Sequence, residues 1–179
     1  GGVGIRYKDE TPPTIAEYAA HLLTLMGARK YTLLMEPGRA LVGSAGILLT
    51  QVEYLKHQEN RNFAIVDAAM NDLIRPALYQ AHHEIMTTKA STAAKQSYDV
   101  VGPVCESADF LGHGRTLALQ QGDLLAVMAA GAYGSSMSSN YNTRGRGAEV
   151  MVDGTKVHLI AQRETPEQIF ARERLLPDV

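Results

Sequence analysis

A chain of 179 residues has room for one ordinary domain, or one domain and part of a second, because domains mostly run about 100–150 residues. Its residues are 45% hydrophobic and 20% charged, a composition that builds a globular core and excludes a disordered tail. With 17 Lys and Arg against 19 Asp and Glu, the net charge of −2 provides no general attraction to nucleic acid or to an anionic membrane surface.

The chain opens on Gly1-Gly2-Val3-Gly4, without an initiator Met, a basic flank or an apolar signal block, which predicts an internal cut and a C-terminal fragment of a longer protein. Ile15, Tyr18, Ala19, Leu22, Leu23 and Met26 recur at i, i+3 and i+4 and predict an amphipathic helix over 14–27, opened by Thr11-Pro12-Pro13-Thr14 and stopped by Gly27. Tyr31-Thr32-Leu33-Leu34-Met35 is a nearly continuous apolar run, the pattern of a strand buried on both faces of a parallel sheet, and it runs into the polar turn Glu36-Pro37-Gly38-Arg39. Helix, buried strand and polar turn make half of a (β/α) unit, so residues 1–43 read as the last elements of a parallel α/β array.

Beyond Gly43 the texture changes. Segments 47–55, 63–66, 97–104, 124–130, 149–152 and 156–161 are short, rich in Val, Ile, Leu and Tyr, and separated by Gly, Asp, Asn and Pro. They predict an antiparallel β domain of sandwich or barrel type over 44–179. Asp153-Gly154 between two such runs predicts a hairpin, and Thr165-Pro166-Glu167-Gln168 the capped start of a short C-terminal helix. Residues 131–147, rich in Gly, Ser, Asn and Arg, form a loop longer than strands usually need unless it has a function. The longest apolar stretch, from Leu124 to Ala132, runs about nine residues against the roughly twenty of a spanning helix, so no membrane span is expected. The lone Cys105 excludes an internal disulfide framework and fits a reducing compartment, by default the cytoplasm.

Several motifs are open, on spacing alone, to a chemical reading beside an ordinary structural one. Gly1-Gly2-Val3-Gly4 is either a backbone cradle for a phosphate or a plain glycine turn. Glu36-Pro37-Gly38-Arg39 sits where ligands of α/β arrays bind, beyond the carboxyl end of a strand, or is a turn with a solvated Arg. Asp67, Asn71, Asp72 and Arg75 form a capped turn leading into a helix at Pro76, which would set Tyr79 on the same face as Arg75. Cys105, followed by Glu106 and Asp109, is either a buried small hydrophobe or a thiol kept protonated by the carboxylates and suited to donating a proton. His82 and His83 are adjacent and cannot share a helical face, so no metal site is assigned. Arg144-Gly145-Arg146-Gly147 reads as a solvated loop.

Taken in order, Gly1-Gly2-Val3-Gly4, Glu36-Pro37-Gly38-Arg39, Asn71-Asp72-Leu73-Ile74-Arg75-Pro76-Ala77-Leu78-Tyr79, Cys105-Glu106-Ser107-Ala108-Asp109 and Gly131-Ala132-Tyr133-Gly134 resemble the C-terminal part of the diaminopimelate decarboxylase family, over essentially the whole chain. The resemblance implies a fold-type III pyridoxal-phosphate decarboxylase. Residues 1–43 would then end a (β/α)8 barrel, and residues 44–179 would form a mainly β domain, an antiparallel sandwich or Greek-key barrel with a short terminal helix. It also implies that Gly2, as the last glycine of a GGG loop, and Glu36, Pro37, Gly38 and Arg39 bind the phosphate of pyridoxal 5'-phosphate. Arg39, Arg75 and Tyr79 would grip the distal carboxylate of an amino-acid substrate and Glu106 its distal ammonium. Cys105 would return a proton to the decarboxylated carbon, and Tyr133 would touch cofactor and substrate. In the family, Cys105 and Glu106 act across a homodimer interface.

Guanidinium for carboxylate and Glu for ammonium is the set complementary to a distal amino-acid group. Ornithine decarboxylase handles a bare amine and has Asp after its Cys. Cys105-Glu106 together with Arg75 therefore points to meso-2,6-diaminopimelate, with L-lysine and carbon dioxide as products. Related decarboxylases of ornithine, lysine or carboxynorspermidine type, and a non-catalytic β module for dimerisation or interaction, are the alternatives. The resemblance places the cofactor-binding lysine on an early barrel strand outside this chain, and the six lysines at 8, 30, 56, 89, 95 and 156 lie in no matching motif, so the chain alone is expected to be inactive. Gly145 and Gly147 stand where the family usually has prolines, which predicts a more flexible segment after Arg144.

Overall fold

The computed structural model describes residues 1–177. The first helix, α1 (Ile15–Met26), begins with a capping box, in which the Thr14 hydroxyl accepts from the Glu17 N–H while the Glu17 carboxylate accepts from the Thr14 N–H, and Gly27 ends it at φ 57°. The apolar run 31–35 does not form a strand. Its residues adopt no regular structure and pair with no strand, with Tyr31 74% and Leu34 86% exposed. A strand buried on both faces needs neighbours on both edges, and nothing in the described residues pairs with this one. A short helix, α2 (Gly38–Val42), and a 3₁₀ turn (Gly43–Ala45) then lead into the sheet.

The strands are β1 (Leu48–His57), β2 (Asn62–Val66), β3 (Ile85–Thr87), β4 (Gln96–Val101), β5 (Phe110–Leu117) and β6 (Leu124–Val127), in the order β3-β6-β1-β2-β4-β5. The two outer strands, β3 and β5, approach each other, so the sheet is nearly closed. Its pairings are antiparallel except one: β2 and β4 run parallel, with Asn62 opposite Tyr98 and Ile65 opposite Val101. The expected antiparallel domain is therefore a mixed sheet. The connection between those strands, carrying the short helix α3 (Arg75–Tyr79) and β3, is long enough for the crossover that a parallel pair requires.

Alternation along the strands sends one set of side chains inward. Thr50 and Val52 of β1 are buried while Leu49, Gln51 and Glu53 are exposed. With Val66, Ile85, Tyr98, Val100, Leu111, Leu125 and Val127 they fill a single core that also takes in Leu73 ahead of α3. Strand β4 ends before Gly102-Pro103, where a proline removes a ladder donor. Strands β3 and β5 have no counterpart in the sequence reading, since β3 has three residues and β5 contains Gly112 and Gly114, the latter at φ 60°.

A separate hairpin follows, β7 (Glu149–Asp153) with β8 (Lys156–Ala161), turning at Gly154 with φ 59° as Asp153-Gly154 predicts. Its Val150, Met151, Val152, Val157, Leu159 and Ile160 are exposed. Helix α4 (Pro166–Phe170) starts at the expected Thr165/Gln168 capping box.

Candidate functional site

Two glycine-containing loops meet at the start of the chain. Gly2 lies at φ 98°, a conformation that favours glycine, and a Cβ on Gly1 would come within 3.0 Å of the Glu36 carbonyl oxygen. The Tyr18 hydroxyl of α1 donates to the Gly1 carbonyl at 2.8 Å and fixes this approach. The structure thus sets Gly1-Gly2 beside Glu36-Pro37-Gly38-Arg39, the other candidate phosphate loop.

Arg39 is on α2, and the end of that element receives the turn that holds Tyr133. The Gly131 N–H donates to the Gly43 carbonyl at 3.1 Å, and a Cβ on Gly131 would overlap the Val42 carbonyl, so only glycine allows this docking. Tyr133 follows at φ 68°, a strained conformation for a non-glycine residue of the kind that clusters at functional sites. The Cζ atoms of Arg39 and Arg75 lie 5.7 and 5.6 Å from the centroid of its ring. Residues 39, 75 and 133 therefore converge around one aromatic ring.

Arg75, the first residue of α3, is 8% exposed. Its guanidinium lies 4.6 Å from the Tyr7 ring centroid, and one Nη is 3.0 Å from Nε2 of the buried His83. Among the described residues no carboxylate pairs with Arg75 or with Arg39, and the Arg39 Nε is buried without a hydrogen-bond partner. Aromatic faces compensate a buried guanidinium only in part, so the site is short of one anion. Tyr79 lies one turn beyond Arg75 on α3, but its side chain is exposed.

A second cluster lies after β4. Cys105 and Glu106 are exposed, which overturns the buried-hydrophobe alternative for Cys105. Their loop is clamped by Asp109, whose Oδ2 accepts the Val104 N–H and whose Oδ1 accepts the Met70 N–H, both at 2.7 Å. The Glu106 carboxyl is held below the usual carboxylate range by the Ala108 N–H, the Ser107 hydroxyl and the Tyr141 hydroxyl, while its charge pushes the Tyr141 phenol up. Glu106 is thus an exposed, ionised acceptor. Among the described residues no hydrogen bond, ion pair or ring contact joins residues 105 and 106 to Arg39, Arg75 or Tyr133.

The loop 131–147 is anchored through Arg144, which is not the solvated arginine the sequence suggests. Its Nε donates to Asn71 Oδ1 at 2.9 Å, one Nη donates to the Asp67 carbonyl at 2.5 Å, and the same Nη lies 3.8 Å from Asp72. Asp72 in turn accepts the Ala69 N–H at 2.9 Å, which ties the turn before α3, but the helix itself starts after Ile74 without the side-chain cap the sequence suggests. Arg146 reaches Asn140 at 2.9 Å and Glu164 at 3.5 Å. Sequence reasoning passed over Tyr7, His83, Asp109 as a clamp, and Tyr141. Their signal is their position beside the motifs already singled out: Tyr7 follows the opening glycines and His83 follows α3. Among the described residues no group of three or more His, Cys, Asp or Glu is placed to hold a metal ion, and no helix is long and apolar enough to cross a membrane.

Residues 15–131 match the family model described as "Pyridoxal-dependent decarboxylase, C-terminal sheet domain". The chain is 58% identical over 178 residues to a diaminopimelate decarboxylase of Pseudomonas fluorescens, a match covering 99% of this chain and 43% of that protein. The crystal structure of AQ1208 from Aquifex aeolicus superposes with a TM-score of 0.91 at 45% identity, over 95% of this chain and 43% of that one. Diaminopimelate decarboxylase of Helicobacter pylori, solved in complex with L-lysine, gives a TM-score of 0.89 at 40% identity, over 95% and 42%. The chain thus spans less than half the length of the relatives it matches.

Proposed function

The chain belongs to the pyridoxal-dependent decarboxylase family, and on that premise we propose that it is the C-terminal part of an enzyme converting meso-2,6-diaminopimelate to L-lysine and carbon dioxide. In this reading residues 1–43 close a (β/α)8 barrel and residues 44–179 form the β domain. The observation that carries it is the pair of guanidiniums, Arg39 and Arg75, that converge on Tyr133 with no carboxylate partner among the described residues. A buried cation of this kind is stable when a ligand supplies the anion.

The side-chain-free backbone of Gly1 and Gly2 against Glu36 fits the phosphate of pyridoxal 5'-phosphate, with Gly2 and Glu36 to Arg39 as the holding residues and Tyr133 against cofactor and substrate. Bound there, the cofactor supplies the ring that takes up the electron pair left when the carboxylate departs. The chain's own residues choose the substrate and return one proton. Arg39 and Arg75 bind the distal carboxylate, with Tyr79 at its rim. Glu106, ionised and exposed, accepts the distal ammonium, and the Cys105 thiol holds the proton delivered to the α-carbon. The separation of Cys105 and Glu106 from the arginine cluster supports a homodimer in which each protomer completes its partner's site, and the exposed apolar hairpin supports a covering surface of that sort. The enzyme is placed in the cytoplasm, and the chain alone, with its lysine elsewhere in the full protein, is inactive.

The test is Arg75→Ala in the full-length enzyme loaded with pyridoxal phosphate, with carbon dioxide release from diaminopimelate as readout. Removing one partner of a desolvated charge pair costs about 2–5 kcal/mol, so kcat/KM is expected to fall by orders of magnitude. An unchanged kcat/KM overturns the assignment.

A further inference from the structure

His83 stands two residues before β3, and Met128 directly follows β6, the strand with which β3 pairs. The Met128 N–H donates to the Glu84 carbonyl at 2.8 Å, which locks the two segments in register. The His83 side chain is fully buried. Its Nδ1 is 2.8 Å from the Met128 carbonyl oxygen, and its Nε2 is 3.0 Å from an Arg75 Nη.

These two neighbours fix the state of the ring. A carbonyl oxygen only accepts, so Nδ1 carries the hydrogen; a guanidinium only donates, so Nε2 presents its lone pair. A protonated imidazole would set N–H against N–H. Burial first, with the positive charges of Arg75 and Arg115 adding to it, holds His83 below its ordinary pKa against the opposing pull of the Met128 carbonyl. The Tyr7 ring completes the holder, with its face toward Arg75 at 4.6 Å and its plane at 70° to the His83 ring, the two centroids 5.3 Å apart.

We infer that His83 is a positioning residue for substrate selection: a neutral imidazole, pinned to the Met128 carbonyl, that orients the Arg75 guanidinium without neutralising it. A carboxylate in this place would satisfy Arg75 outright and compete with the anion of the ligand. A neutral acceptor takes one N–H and leaves the other donors and the whole positive charge for the distal carboxylate. An imidazole suits the place because its two nitrogens reach both the sheet carbonyl and the guanidinium; an amide side chain reaches only one of them. The inference rests on the reading above that Arg75 binds the distal carboxylate.

The experiment measures kcat and KM for meso-2,6-diaminopimelate in the full-length, cofactor-loaded enzyme, for His83→Asn, His83→Gln, Arg75→Ala and the double variant His83→Asn/Arg75→Ala, with thermal melting of each. Asn retains a donor for Met128 and loses the acceptor for Arg75; Gln sets an amide oxygen near the place of Nε2 and loses the donor to Met128. His83→Asn is expected to raise KM about tenfold to a hundredfold, the range of a hydrogen bond to a charged group, with kcat little changed. His83→Gln is expected to keep KM near that of the parent while melting lower. In the Arg75→Ala background the effect of His83→Asn on kcat/KM is expected to vanish, because both act through one contact. Additive losses in the double variant, or a KM rise for His83→Gln as large as for His83→Asn, overturn the inference. An Arg75→Ala enzyme with unchanged KM instead overturns the reading of Arg75, so the two failures are told apart.

Discussion

Asp109→Asn alters no volume, yet it strikes the link between the two halves of the candidate site. The Asp109 side chain is 4% exposed, and its two oxygens each accept one backbone N–H at 2.7 Å, Met70 ahead of α3 and Val104 beside Cys105. Gly102 lies so close that a Cβ there would sit 2.6 Å from Oδ1, which leaves the carboxylate no room to swing away. An amide has one accepting oxygen and one NH2 group. Whichever way Asn sits, one of the two backbone donors faces another donor. A buried N–H left without an acceptor costs about 1–3 kcal/mol, and the surviving bond loses its charge assistance and about half its strength. The sum is about 3 kcal/mol, a large part of the 5–15 kcal/mol that typically holds a domain together. Amide hydrogen exchange reads this residue by residue. Protection of the Met70 and Val104 amides is expected to fall by about 10²-fold, the factor that corresponds to about 3 kcal/mol. The loop carrying Cys105 and Glu106 should loosen with it, and turnover of the full-length enzyme should drop. Unchanged exchange at Met70 and Val104 refutes the clamp.

Cys105→Ala in the full-length enzyme is expected to slow turnover by about 10²-fold or more, the usual weight of a positioned proton donor, with Cys105→Ser keeping part of the rate; a steady-state rate untouched by alkylation of Cys105 refutes the assignment. Acid is expected to weaken the sheet through Asp99. Burial pushes this carboxyl up, but the Gly114 N–H, His113 and Arg61 outweigh it and hold it below its ordinary value, so the unfolded chain binds the proton first as pH falls. That stability is complete above the unfolded pKa of about 3.9 and is lost as pH drops through the lower folded value, at no more than about 1.4 kcal/mol per pH unit. Urea midpoints measured from pH 5 downward should fall less steeply in Asp99→Asn, and equal slopes contradict the argument.

The parts of the fold that were legible in the sequence rest on interactions within a few residues. Thr14 marks the helix entry, Thr165 with Gln168 carry both donor and acceptor of a capping box within four positions, and Gly154 supplies the positive φ of its own turn. The strand-like run 47–55 is likewise recognisable from its own composition, though which of its faces turns inward is shown by the burial of Thr50 and Val52. The run 31–35 misled for the same reason in reverse: its apolar residues announce a buried strand, but burial belongs to neighbouring strands that the described residues do not supply. Strand β5, with Gly112 and Gly114 in its middle, has almost no local signal and forms because β4 pairs with it.

The sequence by itself determined which chemical groups are present and which of them share a short segment: Glu36 with Arg39, Arg75 with Tyr79, and Cys105 with Glu106. Only the tertiary structure decided that Arg39 and Arg75 face the same Tyr133 ring, and that His83 touches Arg75 while its neighbour His82 does not hold that place. Only it turned Arg144 from a solvated loop residue into an anchor on Asp67 and Asn71. The physical reason is range. Capping and alternation are settled by atoms a few residues apart, whereas the meeting of α2, α3 and the turn at Tyr133 depends on strand pairings and glycine contacts between segments far apart in the chain, whose formation no local pattern encodes.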